Sequence, residues 1–267
     1  MKNRKILTLG IILVTILSIS IVLINSKKIS NTSDLPEENF VNLKLSLSID
    51  MADECNNIKD TSDPSYILDN LYCSSGPILL MSATASGVVF KSINEKSYVL
   101  TADHFCNSQI SSESTKIFSE SLNKEISVID YLGNKTSSKI IYSNKNSDLC
   151  ILESSVSIPV QIKISKNYPE YGEEIYSISA PHGIHYKDVY LHFYGKFSGC
   201  NSQGTCFYTI PAAPGSSGSL VFNSHNRIIG MIQMTAVGFN SLSMGVGIES
   251  INRFLKEASE HTGINFL

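Results

Sequence analysis

Three short segments carry side chains able to do nucleophilic chemistry together. Tyr98-Val-Leu-Thr-Ala-Asp-His-Phe-Cys106 is an apolar run that ends in a small residue and then a histidine. Asn146-Ser-Asp-Leu-Cys-Ile-Leu152 places an aspartate at the opening of another apolar run. Pro214-Gly-Ser-Ser-Gly-Ser-Leu-Val221 sets a serine in a glycine turn that leads straight into a third. The order His104, Asp148, Ser217 is one of the recurring orders for a base-activated serine. A serine hydroxyl is a poor nucleophile at neutral pH. It needs an imidazole to take its proton, and the imidazole needs a carboxylate to hold its tautomer and stabilise its cation. Gly215 has a separate part, because without a side chain it can turn its N–H toward the same point as the N–H of Ser217. Two such donors form an oxyanion hole. Asp103 is a weaker choice for the carboxylate, since a neighbour in sequence is poorly placed to reach the far ring nitrogen.

These residues need a scaffold of strands. From Ile78 onward the chain alternates short β-branched or aliphatic runs with Gly, Asn and Ser, the pattern of strands and turns. Strands are expected at Ile78–Thr84, Gly87–Lys91, Ser97–Thr101, Ile126–Tyr131, Ser138–Ser143, Cys150–Glu153, Glu174–Ser179, Val189–Phe197, Phe207–Ile210, Gly218–Phe222, Ile228–Thr235 and Met244–Glu249. A further short strand is possible at Val41–Ile49. So many short strands predict an all-β architecture of barrels or a sandwich. Only the end is helical in pattern: Ser250 can cap it, Ile251, Phe254, Leu255 and Ala258 share one face, and Gly263 stops it. No internal repeat stands out.

The first residues concern address. Ile6 to Asn25 are twenty residues without a charge, preceded by Lys2, Arg4 and Lys5 and followed by Lys27 and Lys28. A helix of that length spans the roughly 30 Å hydrocarbon layer, and basic residues on the short N-terminal side keep that end cytoplasmic. Residues 1–28 are therefore expected to be a signal-anchor, with the remainder outside the cytoplasm. The competing reading is a cleaved signal peptide and a secreted product, although no small-residue cleavage site follows the apolar run. Residues 29–75 read as a tether and N-terminal extension, and 76–267 as the catalytic domain.

Of 267 residues, 42% are hydrophobic and 17% charged, with a net charge of −3. That composition can fill a core, which excludes wholesale disorder. Residues 1–28 hold five of the 21 basic residues and none of the 24 acidic ones, so the rest carries a net charge of −8. No basic excess exists for nucleic acid, and no nucleic-acid partner is expected.

Six cysteines fit an oxidising compartment and three bridges. Cys200 and Cys206 flank the turn-rich Asn-Ser-Gln-Gly-Thr, so they are expected to staple a hairpin. Cys106 and Cys150 each stand two residues after a triad candidate, leaving Cys55 and Cys73 for each other. The absence of a Cys-x-x-Cys pair speaks against a zinc knuckle or thioredoxin-type site. No metal or organic cofactor is expected.

The three segments resemble those of the trypsin/chymotrypsin-like serine peptidases, most closely the bacterial HtrA/Deg protease domain. Ser86-Gly-Val-Val-Phe90 resembles that family's Ser-Gly-apolar strand, and Thr101-Ala-Asp-His104 its Thr-x-x-His. Ala180-Pro-His-Gly183 stands where the family has a Pro-x-Gly loop. Ile229-Gly-Met-Ile-Gln233 and Met244-Gly-Val-Gly-Ile248 resemble its paired strands after the nucleophile. The likeness covers roughly residues 76–262. It implies two six-stranded antiparallel Greek-key β-barrels of the chymotrypsin type with a C-terminal α-helix, and protein or peptide substrates. It also implies His104 as general base, Asp148 as its orienter, Ser217 as nucleophile, and Gly215 with Ser217 as oxyanion donors. The family's Gly-Asn-Ser-Gly-Gly is Gly-Ser-Ser-Gly-Ser here, so Ser216 and Ser219 depart from the pattern. The length leaves no room for PDZ domains, and regulation through them is not expected.

In trypsin-like enzymes the residue six before the nucleophile floors the primary pocket. Here that is Pro211, followed by Ala212 and Ala213, with no acid to pair with Arg or Lys. The wall strand Met231–Thr235 holds no cation to pair with an acidic side chain. A neutral pocket for small or medium apolar side chains is therefore expected, with the substrate backbone pairing along Gln233, Met234 and Thr235 as an added strand.

Other readings compete. The glycine-serine turn alone could be a linker. His182 and His185 have helical metal-ligand spacing, yet Pro181 and Gly183 argue for a loop. An α/β-hydrolase would need Gly-x-Ser-x-Gly and a later aspartate or glutamate before its histidine; Ser219 spoils the first. A catalytically inactive homologue that binds peptides, and a zymogen masked by residues 39–75, complete the alternatives.

Overall fold

The computed structural model describes residues 36–49, 78–108, 122–158, 160, 162–236 and 238–267. In Phe40–Ile49 (β1) the apolar residues Val41, Leu43, Leu45 and Leu47 recur at every second position, and all four are buried. That period turns one face of a strand into a core. β1 pairs antiparallel with Ile78–Ile93 (β2) on one side and Leu122–Ile129 (β4) on the other. With Lys96–Thr101 (β3), Lys135–Asn144 (β5) and Leu149–Ser154 (β6) they close a barrel in the order β1-β2-β3-β6-β5-β4.

The second barrel uses Glu174–Ile178 (β8), His192–Cys200 (β9), Thr205–Tyr208 (β10), Leu220–Asn223 (β11), Arg227–Ala236 (β12) and Phe239–Gly247 (β13). Its order is β8-β9-β10-β13-β12-β11, and the β11–β8 and β11–β12 pairings close it. Lys163–Ile164 (β7) adds a short parallel edge to β12. The same strand order thus occurs twice, although the sequence shows no repeat.

The apolar runs of β3 and β6 are buried on both faces. Val99, Cys150 and Leu152 point into the first barrel, while Tyr98, Leu100, Leu149 and Ile151 pack with Leu220, Phe222 and Met231 of the second. Ile248–Thr262 (α2) lays Ile251, Phe254, Leu255 and Ala258 onto that shared layer. The core is therefore continuous across the seam where the two barrels meet.

Several expectations need correction. The two strands expected at 78–84 and 87–91 are one, because β2 pairs with β1 through Ser86 without a break. β1 belongs to the first barrel, so residues 29–75 are not wholly an extension, and a mask beginning at residue 39 would include a barrel strand. α2 begins at Ile248 after Gly247, so Ser250 lies inside the helix instead of capping it. Gly263 does end it, in the left-handed conformation (φ 73°). The anchor at residues 6–25, the start of the tether, and Cys55 and Cys73 lie outside the described residues. Among the described residues no helix is long and apolar enough to cross a membrane.

Candidate active site

The end of β3 runs into one helical turn, Asp103–Cys106 (α1), which lifts His104 out of the first barrel. Asp148 closes the turn before β6 with its backbone at φ 51°, a conformation non-glycine residues avoid. The turn brings the carboxylate against His104. Asp148 Oδ2 lies 2.8 Å and Oδ1 3.1 Å from His104 Nδ1, and Oδ1 also accepts the His104 main-chain N–H at 2.8 Å. An ionised carboxylate only accepts, so Nδ1 carries the proton and Nε2 keeps a free lone pair. The hydrogen bond to Asp148 is the main cause that raises the His104 pKa above 6.5. Partial burial opposes it, and the charges of Asp148 and Asp103 add to it. His104 is half exposed and Asp148 one-quarter exposed, so solvent reaches the pair.

Ser217 comes from the second barrel, in the turn ahead of β11. Gly215 and Gly218 both adopt positive φ, at 95° and 88°. A Cβ on Gly218 would collide with Ser86 O and Thr101 Oγ1, and one on Gly215 would crowd Ala180 O and the amides of His182 and Gly183. Glycine is required at both because other backbone comes too close. The Pro214 carbonyl accepts the His182 N–H at 2.6 Å, and the Ser216 carbonyl accepts the Ser219 N–H at 3.1 Å. A trans peptide sets N–H opposite C=O, so these bonds turn the Gly215 and Ser217 amides the other way. Neither amide donates to any described group.

The Ser217 hydroxyl donates to the Gln233 carbonyl at 3.1 Å, and among the described residues no hydrogen bond joins it to His104. Gln233 is the extra residue of a β-bulge between Ile232 and Met234 in the β12–β13 ladder. Bulges re-aim side chains, and this one sends the Gln233 amide across the seam to Ser147 O (2.7 Å) and Asp148 O (2.8 Å).

The remaining expected residues are scattered in kind. Met234 and Pro211 are exposed, Thr235 is partly exposed with its hydroxyl on Leu242 O at 3.1 Å, and Ala212 packs into the core of the second barrel. A polar cleft of about 500 Å³ is lined by Asn146, Asp148, Gln203, Gln233, Met234 and Arg253. A second, apolar cleft of about 570 Å³ lies beside β2, β3 and α2 and touches neither His104, Asp148 nor Ser217. Cys106–Cys150 and Cys200–Cys206 are disulfides; the first ties the residue after Phe105 to the strand that follows Asp148. His182 sits in a 3₁₀ turn, His185 is half-buried near Phe40, and among the described residues no cluster of three or more ligating side chains could hold a metal. Two contributors were not singled out for their contacts from sequence: the Gln233 side chain, assigned only to the substrate strand, and Ser86. The Ser-Gly pair at 86–87 was the available signal for the latter.

The chain matches the trypsin-like peptidase domain over residues 85–231. It is similar in fold to a serine endoprotease from Yersinia pestis, with a TM-score of 0.56 and 15% identity over 84% of this chain. The chain spans 64% of the length of that protein's chain. Comparison with curated proteins finds no match. With the matched segment running from β2 through His104, Asp148 and Ser217 into β12, the chain belongs to the trypsin-like peptidase domain family.

Proposed function

We propose that this serine peptidase is an exported endopeptidase in which Ser217 is the nucleophile, His104 the general base and Asp148 its orienter. The observation that carries the reading is the grip of one carboxylate on both the Nδ1 and the main-chain amide of His104, at 2.8 Å each. That grip leaves Nε2 as the only ring nitrogen able to take a proton. In the reaction His104 Nε2 removes the Ser217 proton as Oγ adds to the scissile carbonyl. The amides of Gly215 and Ser217 receive the oxyanion, and removal of one such donor typically costs about 2.7–4 kcal/mol. His104 then returns the proton to the leaving amine as the C–N bond breaks, and water repeats the sequence to release the acyl group.

Substrates are proteins or peptides with a neutral side chain in the primary pocket, held along Gln233, Met234 and Thr235. Residues 6–25 anchor the chain and leave the catalytic domain, 76–267 together with β1, outside the cytoplasm; the disulfides support an oxidising location. A fluorophosphonate probe tests the assignment. Labelling of the full chain that disappears in Ser217→Ala supports it, and a folded wild type that never labels rejects it. Cleavage after Arg or Glu in a peptide-library digest would overturn the neutral pocket.

The second reading, a peptide-binding homologue without activity, draws on the Ser217 hydroxyl pointing to Gln233 O instead of His104. The same labelling experiment distinguishes the two readings.

A further inference from the structure

The turn that carries Ser217 is held from the opposite barrel by one side chain. Ser86, in β2, has no exposed surface. Its hydroxyl donates to the Gly215 carbonyl at 2.9 Å and accepts the Ala180 N–H at 2.9 Å. Its amide donates to the Ser217 carbonyl at 2.9 Å, and its carbonyl accepts the Thr101 hydroxyl at 2.8 Å. Both ends of the Gly215–Ser217 turn therefore rest on a single residue, and Thr101 is three residues from His104.

We propose that Ser86 is a positioning residue that aims the Gly215 and Ser217 amides into the cleft; the assignment rests on these amides receiving an oxyanion, as proposed above. The hydroxyl acts in two ways. Directly, it fixes the carbonyl of the peptide between Gly215 and Ser216. Indirectly, it holds the Ala180 amide at the start of the turn whose His182 N–H pins the Pro214 carbonyl at 2.6 Å. His182 itself adopts φ 54°, a conformation that persists only where its surroundings enforce it. A planar trans peptide with its carbonyl pinned cannot present its N–H on the same side, so the pinned Pro214 carbonyl orients the Gly215 N–H, while the Gly215 carbonyl held by Ser86 sets the next peptide, whose Ser216 N–H donates to Ala213 O at 2.9 Å. A serine suits the place because one hydroxyl supplies one proton and accepts another. Alanine supplies neither and leaves a buried amide and carbonyl unpaired.

The test compares full-length wild type, Ser86→Ala and Ser86→Cys. Three quantities are measured: kcat and KM on the best peptide from a library digest, inhibition by a short peptide boronic acid with a small apolar side chain, and the acid limb of the pH–rate profile. Ser217 Oγ adds to the boron, and the resulting tetrahedral adduct places an oxygen in the hole. Ser86→Ala is expected to lower kcat and boronate affinity by a similar factor, roughly 10²-fold, the scale of one oxyanion donor. KM and the acid limb, which reports His104, stay where wild type has them. Ser86→Cys, close in size but a weak donor, falls between, and serves alone where the alanine variant does not fold. Unchanged kcat and boronate affinity in the variants overturn the assignment, as does a loss matched by a displaced acid limb, which marks general disorder of the cleft. A wild type that neither cleaves peptide nor captures boronate instead removes the peptidase reading, and this assignment falls with it.

Discussion

The side-chain amide of Gln233 donates to the main-chain carbonyl of Asp148 at 2.8 Å, and to that of Ser147 at 2.7 Å. Asp148 is in a left-handed backbone conformation at φ 51°, which costs on the order of 1–3 kcal/mol and persists only where the surroundings enforce it. Gln233 supplies that hold from the second barrel, while its own carbonyl receives the Ser217 hydroxyl. One residue thus touches the backbone behind the carboxylate and the serine oxygen.

Gln233→Leu should release the Asp148 turn. Two partly buried carbonyls lose their donor, which costs up to about 1–3 kcal/mol each where no water replaces it. Denaturant unfolding reads the loss of stability. The acid limb of the pH–rate profile should also move down, because a displaced Asp148 supports the imidazolium less well; an unmoved limb would show that the turn holds without Gln233.

The pH dependence has a defined sign. His104 acts as a base only when neutral, and its pKa is raised above 6.5 chiefly by the hydrogen bond to Asp148. Activity in the wild type should therefore fall as pH drops through a value above 6.5. In Asp148→Asn that support is gone, so the limb moves down, and kcat falls by about 10⁴ as the wrong tautomer is favoured. Rate profiles on both proteins, with the His104 ring followed by NMR, check both parts.

The Cys106–Cys150 bridge, with a sequence separation of 44, constrains the unfolded chain far more than Cys200–Cys206 with a separation of 6. Loop-closure entropy puts the first at about 4 kcal/mol and the second at about 2. The double variant Cys106→Ala/Cys150→Ala should lose about twice the stability of Cys200→Ala/Cys206→Ala in denaturant titrations.

Gly218→Ala places a methyl group against Ser86 O and Thr101 Oγ1 at a backbone φ of 88°. The turn has to move, and fluorophosphonate labelling should slow at least about 10²-fold, the scale set by one misplaced donor. Labelling at the wild-type rate would mean that the turn tolerates the shift.

How much of this was legible beforehand depends on range. The strands showed because apolar runs and turn residues alternate locally, and α2 showed because its four core residues keep helical spacing. The contact between His104 and Asp148 spans 44 positions, and only the order of the segments hinted at it. The role of the Gln233 side chain was invisible, since it depends on a bulge created by the β12–β13 register shift. Ser86 looked like one small residue at a strand break. Its pairing with Asn42 of β1 lies in an uninterrupted stretch of the ladder, and its contacts with the Ser217 turn come from the other barrel, far along the chain.

His104 and Asp148 stand on one barrel and Ser217 on the other. A chain with only its first barrel formed holds the His104–Asp148 pair without the Ser217 hydroxyl. The glycine turn, Gln233 and α2 all come later in the chain. The imidazole–carboxylate pair and the hydroxyl therefore come together only once both barrels have folded.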